Sequence, residues 1–394
     1  MPPATPQPAP DPGAGHEPPP RAAAAAGREA LSPRGVLLTA SAFCAVALVA
    51  LAGVLDVPYV SLGPGPVRDV LTAPGEPGEG AAGARDARAL VEVSGAPTYP
   101  TEGRLDLTTV SLRGGPGLEV SLAEVLLDWR DEDVSVVPRE LYYAPRTTQE
   151  EADAQSAAEM TGSQENAKVA ALTELGVQVP ATTTRRVQQV DAEAPAAGVL
   201  RAGDEITAVD GTPVGTFEAL RAAVGALPAG AQVRLGIQRG GEAREVTTRT
   251  YAPQGATLLG VVPDVDYDFP FEVDIAIDDV GGPSAGTVFA LAVVDLLTPG
   301  AMTGGEHVAG TGAIAVDGTV QPIGGLRQKV IGARRAGARW FLAPAQECGE
   351  VAGTAPAGIT VVGVATLHDA REAVEDIGAG RGARVRTCEQ LAAG

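Results

Sequence analysis

The sequence predicts a multidomain α+β chain with a single N-terminal transmembrane helix and a C-terminal α/β domain. Three observations lead there. An uncharged apolar run extends from Gly35 to Leu55. After it, short alternating runs punctuated by Gly and Pro give way to segments with helical spacing. Near the end, a strand-like run, a glycine-rich turn and a long apolar run follow one another between Phe271 and Leu297.

Composition bounds the function. The chain has 394 residues, enough for two or three domains, and is 45% hydrophobic but only 4% aromatic. Its cores must therefore be built from Val, Leu, Ile and Ala. The net charge of −20 leaves no basic patch to neutralise phosphates, which excludes nucleic acid as a partner. Three scattered histidines give no ligand spacing, so no metal and no cofactor is expected. Three cysteines are too few for a disulfide framework. Cys44 lies in the apolar run; whether Cys348 and Cys388 pair depends on the compartment they face.

Residues 1–34 are rich in Pro, Ala and Gly, with almost no large apolar side chains, and read as a disordered cytoplasmic tail. Residues 35–56 hold the anchor, with membrane contact through 35–55, because the uncharged run is long enough to cross a bilayer. Arg21, Arg28 and Arg34 precede it and Asp56 follows, which places the N-terminus in the cytoplasm and the bulk of the chain outside. Ala50-Leu51-Ala52 resembles a signal-peptidase site, so cleavage of the anchor is the competing expectation.

Residues 57–155 are taken as an N-terminal extracytoplasmic region. Ala89 to Val93, Leu105 to Leu112 and Val134 to Val137 read as strands. Leu122 to Trp129 reads as a helix, with Ser121 as N-cap and Glu124 as its capping-box partner. Ser163 is expected to cap a further helix running to about Leu175, where Gly176 stops it. Lys168, inside that helix, is expected on a solvated face.

Residues 156–255 form the next expected domain. Arg185 to Val190 and Ile206 to Val209 read as strands, the latter closed by the turn Asp210-Gly211. Phe217, Leu220, Val224 and Leu227 recur at helical spacing, and Val233 to Gln238 and Glu245 to Thr248 read as closing strands. The run Pro195-Ala196-Ala197-Gly198-Val199-Leu200-Arg201-Ala202-Gly203-Asp204-Glu205-Ile206, continuing to Val209-Asp210-Gly211, resembles bacterial PDZ domains. The resemblance implies capture of an extended peptide by strand addition, placed here on Arg185, Arg186 and Val187 against the 217–227 helix.

The chemistry concentrates in residues 256–382. Ser284 sits in Gly281-Gly282-Pro283-Ser284-Ala285-Gly286, between the strand expected over Phe271–Asp278 and the buried helix expected over Thr287–Leu297. Backbone N–H groups at that helix start could hold an oxyanion, and Gly282 and Gly286 would let main chain approach a substrate closely. An N-cap is the ordinary role for such a serine. Downstream, Asp317-Gly318 joins two short strands, Ala313–Val316 and Thr319–Ile323. A helix then opens at Leu326 and runs to about Ala336. Lys329 shares its apolar side with Leu326, Ala333 and Ala336, while Arg327, Arg334 and Arg335 point elsewhere. Of the 29 basic residues only Lys168 and Lys329 are lysines. Arginine cannot serve as a base, whereas a buried lysine can. Ser284 and Lys329 are therefore read as a nucleophile–base pair.

Gly282 to Gly286, then Gly310-Thr311-Gly312-Ala313-Ile314, then Pro322-Ile323-Gly324-Gly325-Leu326-Arg327-Gln328-Lys329 resemble, in order and spacing, the proteolytic domain of Lon peptidases. The resemblance implies Ser284 as nucleophile, Lys329 as base and Thr311 in support. Lon proteins often carry an acidic residue where this chain has Gly281; Asp278 and Asp279 are displaced and receive no role. No phosphate-binding G-x-x-x-x-G-K-[ST] loop exists, since neither lysine lies in one. Anchor, PDZ-like and Lon-like segments together resemble the PDZ-containing, Lon-like secreted peptidases of Gram-positive bacteria. An ATP-independent serine endopeptidase is expected, acting on extracytoplasmic or membrane proteins, with residues 383–394 as a tail. Assembly into a homo-oligomer stays open. Two rivals remain: a PDZ adaptor with an inactive peptidase domain, and a Ser-His-Asp hydrolase, because Gly282 to Gly286 also fits G-x-S-x-G with His307 and His368 downstream.

Overall fold

The computed structural model describes residues 33–71, 89–191, 193–253, 255–277 and 280–393. Residues 1–32 of the tail expected over 1–34, and the carboxylates Asp278 and Asp279, lie outside them. Helix α1, Pro33–Val54, forms a unit of its own with Leu55. Its stretch Val36–Val54 is long and apolar enough to cross a membrane, and a signal sequence would meet the same criterion. Cys44 is exposed on this helix.

The second unit begins at Asp56. Its central six-stranded sheet draws strands from both ends of the chain. β1 (Tyr59–Asp69), β3 (Arg104–Arg113) and β4 (Ser135–Pro138) come from the segment expected to stand apart as 57–155. β11 (His307–Gly310), β14 (Trp340–Pro344) and β15 (Thr360–Val364) come from the C-terminal part. The order is β15-β14-β11-β3-β1-β4. The first four run parallel, with His307 opposite Arg104 and Gly310 opposite Leu107, and β1 and β4 add antiparallel. Residues 57–155 are thus built into the C-terminal sheet. β2 (Val91–Ser94) pairs antiparallel with β10 (Glu272–Ile275), making a separate two-stranded ribbon. The strand expected over Phe271–Asp278 is accordingly shorter. α2, Leu122–Asp128, has the expected cap, with Ser121 and Glu124 closing a capping box.

Against this sheet lies α5, Gly286–Leu297, whose residues from Gly286 through Asp295 are all buried. Its run of Val, Ala, Leu and Phe has no polar face to give to water, so neighbours must cover it on every side. One cover is α3, Gln149–Glu174, which packs on α5. This corrects the expectation that a helix starts at Ser163 and belongs to the following domain. Thr148 caps α3 with Glu151 as its partner, and Ser163 is buried in mid-helix. The stretch from Gln149 to Glu159 is mostly exposed and polar, so it carries no apolar stripe to announce a helix.

Between α3 and β10 the chain makes a second sheet from β5 (Ala181–Val190), β6 (Glu205–Val209), β7 (Gln232–Arg239), β8 (Glu242–Arg249) and β9 (Val261–Tyr267). Their order is β8-β7-β6-β5-β9. The amphipathic helix α4, Phe217–Gly225, turns Leu220 and Val224 into this sheet's own core beside Val187, Ile206 and Leu235. This module is inserted: the main chain leaves α3, builds the second sheet, and returns into β10.

The C-terminal part adds the hairpin β12 (Ala313–Ile314) and β13 (Val320–Gln321), then α6 (Leu326–Arg335). α6 buries Leu326, Lys329, Val330 and Ala333, and turns Arg327, Arg334 and Arg335 outward as its spacing requires; Ala336 is exposed past its end. Cys348 opens the short helix α7 (Cys348–Val351), and α8 (Leu367–Gly378) follows β15. Cys348 forms a disulfide with Cys388 of α9 (Cys388–Ala392), which ties the last helix to the core.

Candidate active site

Ser284 does not cap α5. Ala285 takes the N-cap position without a side-chain cap bond, and Ser284 sits one residue earlier, on the turn itself. Gly282 gives the turn its shape through a left-handed backbone, φ 83°. Main chain on both sides of Ser284 is fixed. The Ser284 carbonyl accepts from Gly312 N–H at 2.8 Å and from Thr311 Oγ1 at 3.0 Å. Thr287 N–H and Oγ1 each reach Gly312 O at 3.0 Å. The Gly310-Thr311-Gly312 segment thereby becomes a second rail beside the turn.

The free side of the serine meets α6. Lys329 Nζ donates to Ser284 Oγ at 2.7 Å and to Thr311 Oγ1 at 3.0 Å. Lys329 is only 2% exposed. Burial pushes its ammonium down to about 7, against a weaker opposing pull from the Glu347 carboxylate. At pH 8 a lysine of that pKa is mostly neutral and holds a lone pair able to accept a proton. Gly325, left-handed at φ 70°, starts α6 without a side-chain cap. The loop before it is pinned where Ile323 N–H donates to both Glu347 oxygens, at 3.1 and 3.0 Å.

Gly286 is a glycine for lack of space. A Cβ there would meet Ile314 Cγ2 at 2.8 Å and Ser163 Oγ at 2.9 Å. The expected oxyanion donors need one correction. Gly286 N–H turns back to Pro283 O at 3.4 Å and Thr287 N–H is taken by Gly312. Among the described residues, the N–H groups of Gly281, Ser284 and Ala285 have no acceptor in this turn, and those of Ser284 and Ala285 are the ones next to the hydroxyl.

Sequence reasoning brought Ser284, Lys329, Thr311, Gly282 and Gly286 to one place, and the structure joins them. It missed the wall behind them. From α3, Ser163 Oγ donates to Pro283 O at 2.9 Å, Asn166 Nδ2 to Ile314 O at 3.1 Å, and the Ser156 carbonyl accepts from Gly282 N–H at 3.2 Å. Glu347 was missed too. No local signal could have marked these residues, since their partners lie far off in sequence.

The peptide-capture residues are placed differently from expectation. β5 is an interior strand, with β9 along one edge: Val190 faces Val261, Gln189 faces Val262 and Val187 faces Pro263. Arg185 is engaged by Ile206 O at 3.1 Å, Val214 O at 2.9 Å and Glu205 at 2.5 Å. Arg186 reaches Asp264 at 3.4 Å, and Val187 is buried in the core. An incoming strand cannot pair with the edge of Arg185–Val190 that β9 covers; among the described residues the sheet's open edges are β8 and β9.

Neither downstream histidine meets Ser284. His307 Nε2 lies 2.5 Å from Asp106, which Arg104 also grips. His368 is exposed, with Glu174 at 2.9 Å and Glu372 at 3.5 Å.

Residues 275–369 match the family model of the Lon protease (S16) C-terminal proteolytic domain, and residues 173–250 match that of the PDZ domain. The chain therefore carries a Lon-type proteolytic domain and a PDZ domain behind one apolar N-terminal helix. Lon protease of Roseiflexus castenholzii is 35% identical over 148 residues, 36% of this chain and 18% of that protein. Lon protease 1 of Bacillus subtilis is 39% identical over 97 residues, 24% of this chain and 12% of that protein. The chain thus spans under a fifth of the length of these relatives. Among solved structures, the PDZ domain of an SdrC-like protein from Listeria innocua is 26% identical, covering 20% of this chain and 92% of that one, with a TM-score of 0.20.

Proposed function

We propose that this chain is an ATP-independent serine endopeptidase in which Ser284 is the nucleophile and Lys329 its general base. The observation that carries the proposal is the 2.7 Å contact from a buried lysine Nζ to Ser284 Oγ. Neutral Lys329 takes the Ser284 proton as Oγ attacks a peptide carbonyl. The resulting ammonium then gives its proton to the leaving amine, and water, deprotonated by the same lysine, releases the acyl group from Ser284. Thr311 Oγ1 fixes Nζ by accepting its second hydrogen bond, while its own proton goes to the Ser284 carbonyl. The N–H groups of Ser284 and Ala285 are the donors placed to meet the oxyanion.

The substrates are extracytoplasmic or membrane proteins, and the PDZ domain presents an extended segment of them. Arg21, Arg28 and Arg34 ahead of the apolar helix favour a cytoplasmic N-terminus. The Cys348–Cys388 disulfide fits an oxidising compartment for the rest. Residues 57–174 and 256–382 would then work as one peptidase unit with the PDZ domain set into it.

The test is peptide-bond cleavage by the full-length chain in detergent micelles, beside Ser284→Ala, Lys329→Ala and His368→Ala. Activity should vanish in the first two and survive in the third. Activity that survives Lys329→Ala would overturn the assignment.

A further inference from the structure

Among the described residues, most exposed large apolar side chains of the second unit gather around its first residues. Tyr59, Leu118, Leu126, Leu127, Trp129 and Leu141 all face outward, Leu127 and Trp129 at 69% and 74% exposure. A single exposed leucine is ordinary, but a cluster that includes a tryptophan marks an interaction surface. Helix α2 carries its centre. Val125 and Asp128 turn inward and are buried, which leaves Leu126, Leu127 and the C-cap Trp129 on the outer side. The helix is tied to the start of the unit. Asp56 and Val57 pair with Ser121 and Val120, and Ser121 is its N-cap. From Ser121 to Trp129 is only about 12 Å at helical rise. The turn bearing Leu141 is tied there too, since Arg139 N–H donates to Pro58 O at 3.0 Å. Beside it a cavity of about 540 Å³ is lined by Pro58, Glu119, Arg139, Glu140 and Arg146. Asp56 is bonded to Leu55, the last residue of the unit that holds α1. A bilayer spanned by α1 therefore ends within a few residues of the strand pair that seats α2.

We propose that this face docks on the lipid bilayer, with Leu126, Leu127 and Trp129 seated at headgroup level and Arg139 and Arg146 in reach of lipid phosphates. Tryptophan suits that depth, because its ring is apolar and its one N–H can meet the headgroup region. Glu119, Glu124, Asp131 and Glu132 are also exposed around the face, so apolar seating holds the contact rather than attraction to an anionic surface. The proposal rests on the membrane-spanning reading of α1 and adds a second, folded contact to it. It also bears on the substrate. A Cβ at Gly324 would stand 3.2 Å from Tyr142 Oη, so the residue after Leu141 abuts the turn that opens α6. Docking thus holds the catalytic loop close to the bilayer surface, where segments of membrane proteins emerge.

The chain's own tryptophans supply the test, since there are two, Trp129 and Trp340, and neither lies in α1. Full-length chain is reconstituted into phosphatidylcholine vesicles, with and without lipids brominated in the upper acyl chain, and its fluorescence is read after flotation. In Trp340→Phe, bromolipid should quench Trp129 about twofold or more; in Trp129→Phe, the remaining Trp340 should be unaffected. Adding Leu127→Glu to Trp340→Phe should reduce the quenching about threefold or more, and Leu127→Ile should preserve it. A chain that floats with the vesicles while Trp129 keeps its full fluorescence would overturn the docking and leave the spanning reading intact. A chain that fails to float would remove the spanning reading and the docking with it. Trp129 shielded from aqueous iodide but untouched by bromolipid would assign the face to a second protein copy and overturn the proposal.

Discussion

Asp295 is buried at the C-terminal end of α5, the helix that follows the nucleophile turn. Its Oδ1 accepts from Met302 N–H at 2.8 Å, while among the described residues Oδ2 has no partner. Burial pushes the carboxyl from 3.8 up to about 6. A raised carboxyl pKa means that folding disfavours the ionised form. The stability it permits is full below pH 3.8 and is lost as pH rises through 6. At 1.36 kcal/mol per pH unit, the shift corresponds to about 3 kcal/mol at pH 8. Roughly 1 kcal/mol of that has already gone at pH 4.5, leaving about 2 kcal/mol to develop between the two pH values. Asp295→Asn removes the titration. At any single pH the variant also leaves an amide N–H₂ without an acceptor, so the pH dependence of the difference is the diagnostic. Denaturant unfolding at pH 4.5 and 8 should show the variant gaining about 2 kcal/mol on the unmutated chain across that interval. A difference that stays constant with pH would refute the buried, ionisable environment assigned to Asp295.

Other expected outcomes are as direct. Gly286→Ala forces a methyl against Ile314 and Ser163 and should cut peptide kcat at least 100-fold, by steady-state kinetics, through displacement of the turn. Ser163→Ala removes the hydrogen bond to Pro283 O and should lower kcat about 3- to 10-fold while leaving Lys329 poised at its present pKa. Glu347→Gln deletes the charge that favours the Lys329 ammonium, so the acid limb of the kcat/KM profile should move to lower pH. Cys348→Ser opens a link between residues 40 apart, which chain entropy values at about 4 kcal/mol; thermal unfolding with and without reductant should show the loss.

The chemistry was legible because it is written locally. A serine among glycines before an apolar run, and a lone lysine on the apolar side of an arginine-studded helix, carry their environments with them. Strand pairing is not local. β3 aligns with β11 through Arg104 and His307, and nothing near either residue announces the other. Residues 57–155 therefore read as a region apart although they build half of the catalytic sheet. α3 was hidden for another reason: its first half is polar and exposed, so only its capping pair Thr148 and Glu151 marks its start. β5 read as an open edge because β9, with Pro263 within it, gave only a weak strand signal, and β9 is the strand that covers that edge.

The pH dependence of Ser284 modification by a small fluorophosphonate, in the full-length chain and in Lys329→Ala, tests the Ser–Lys mechanism most directly. The rate should rise to a plateau with a midpoint near 7 and fall about 1000-fold, with loss of that midpoint, in the variant. A midpoint near the ordinary lysine value of about 10.4, or labelling of the variant at the unmutated rate, would contradict it.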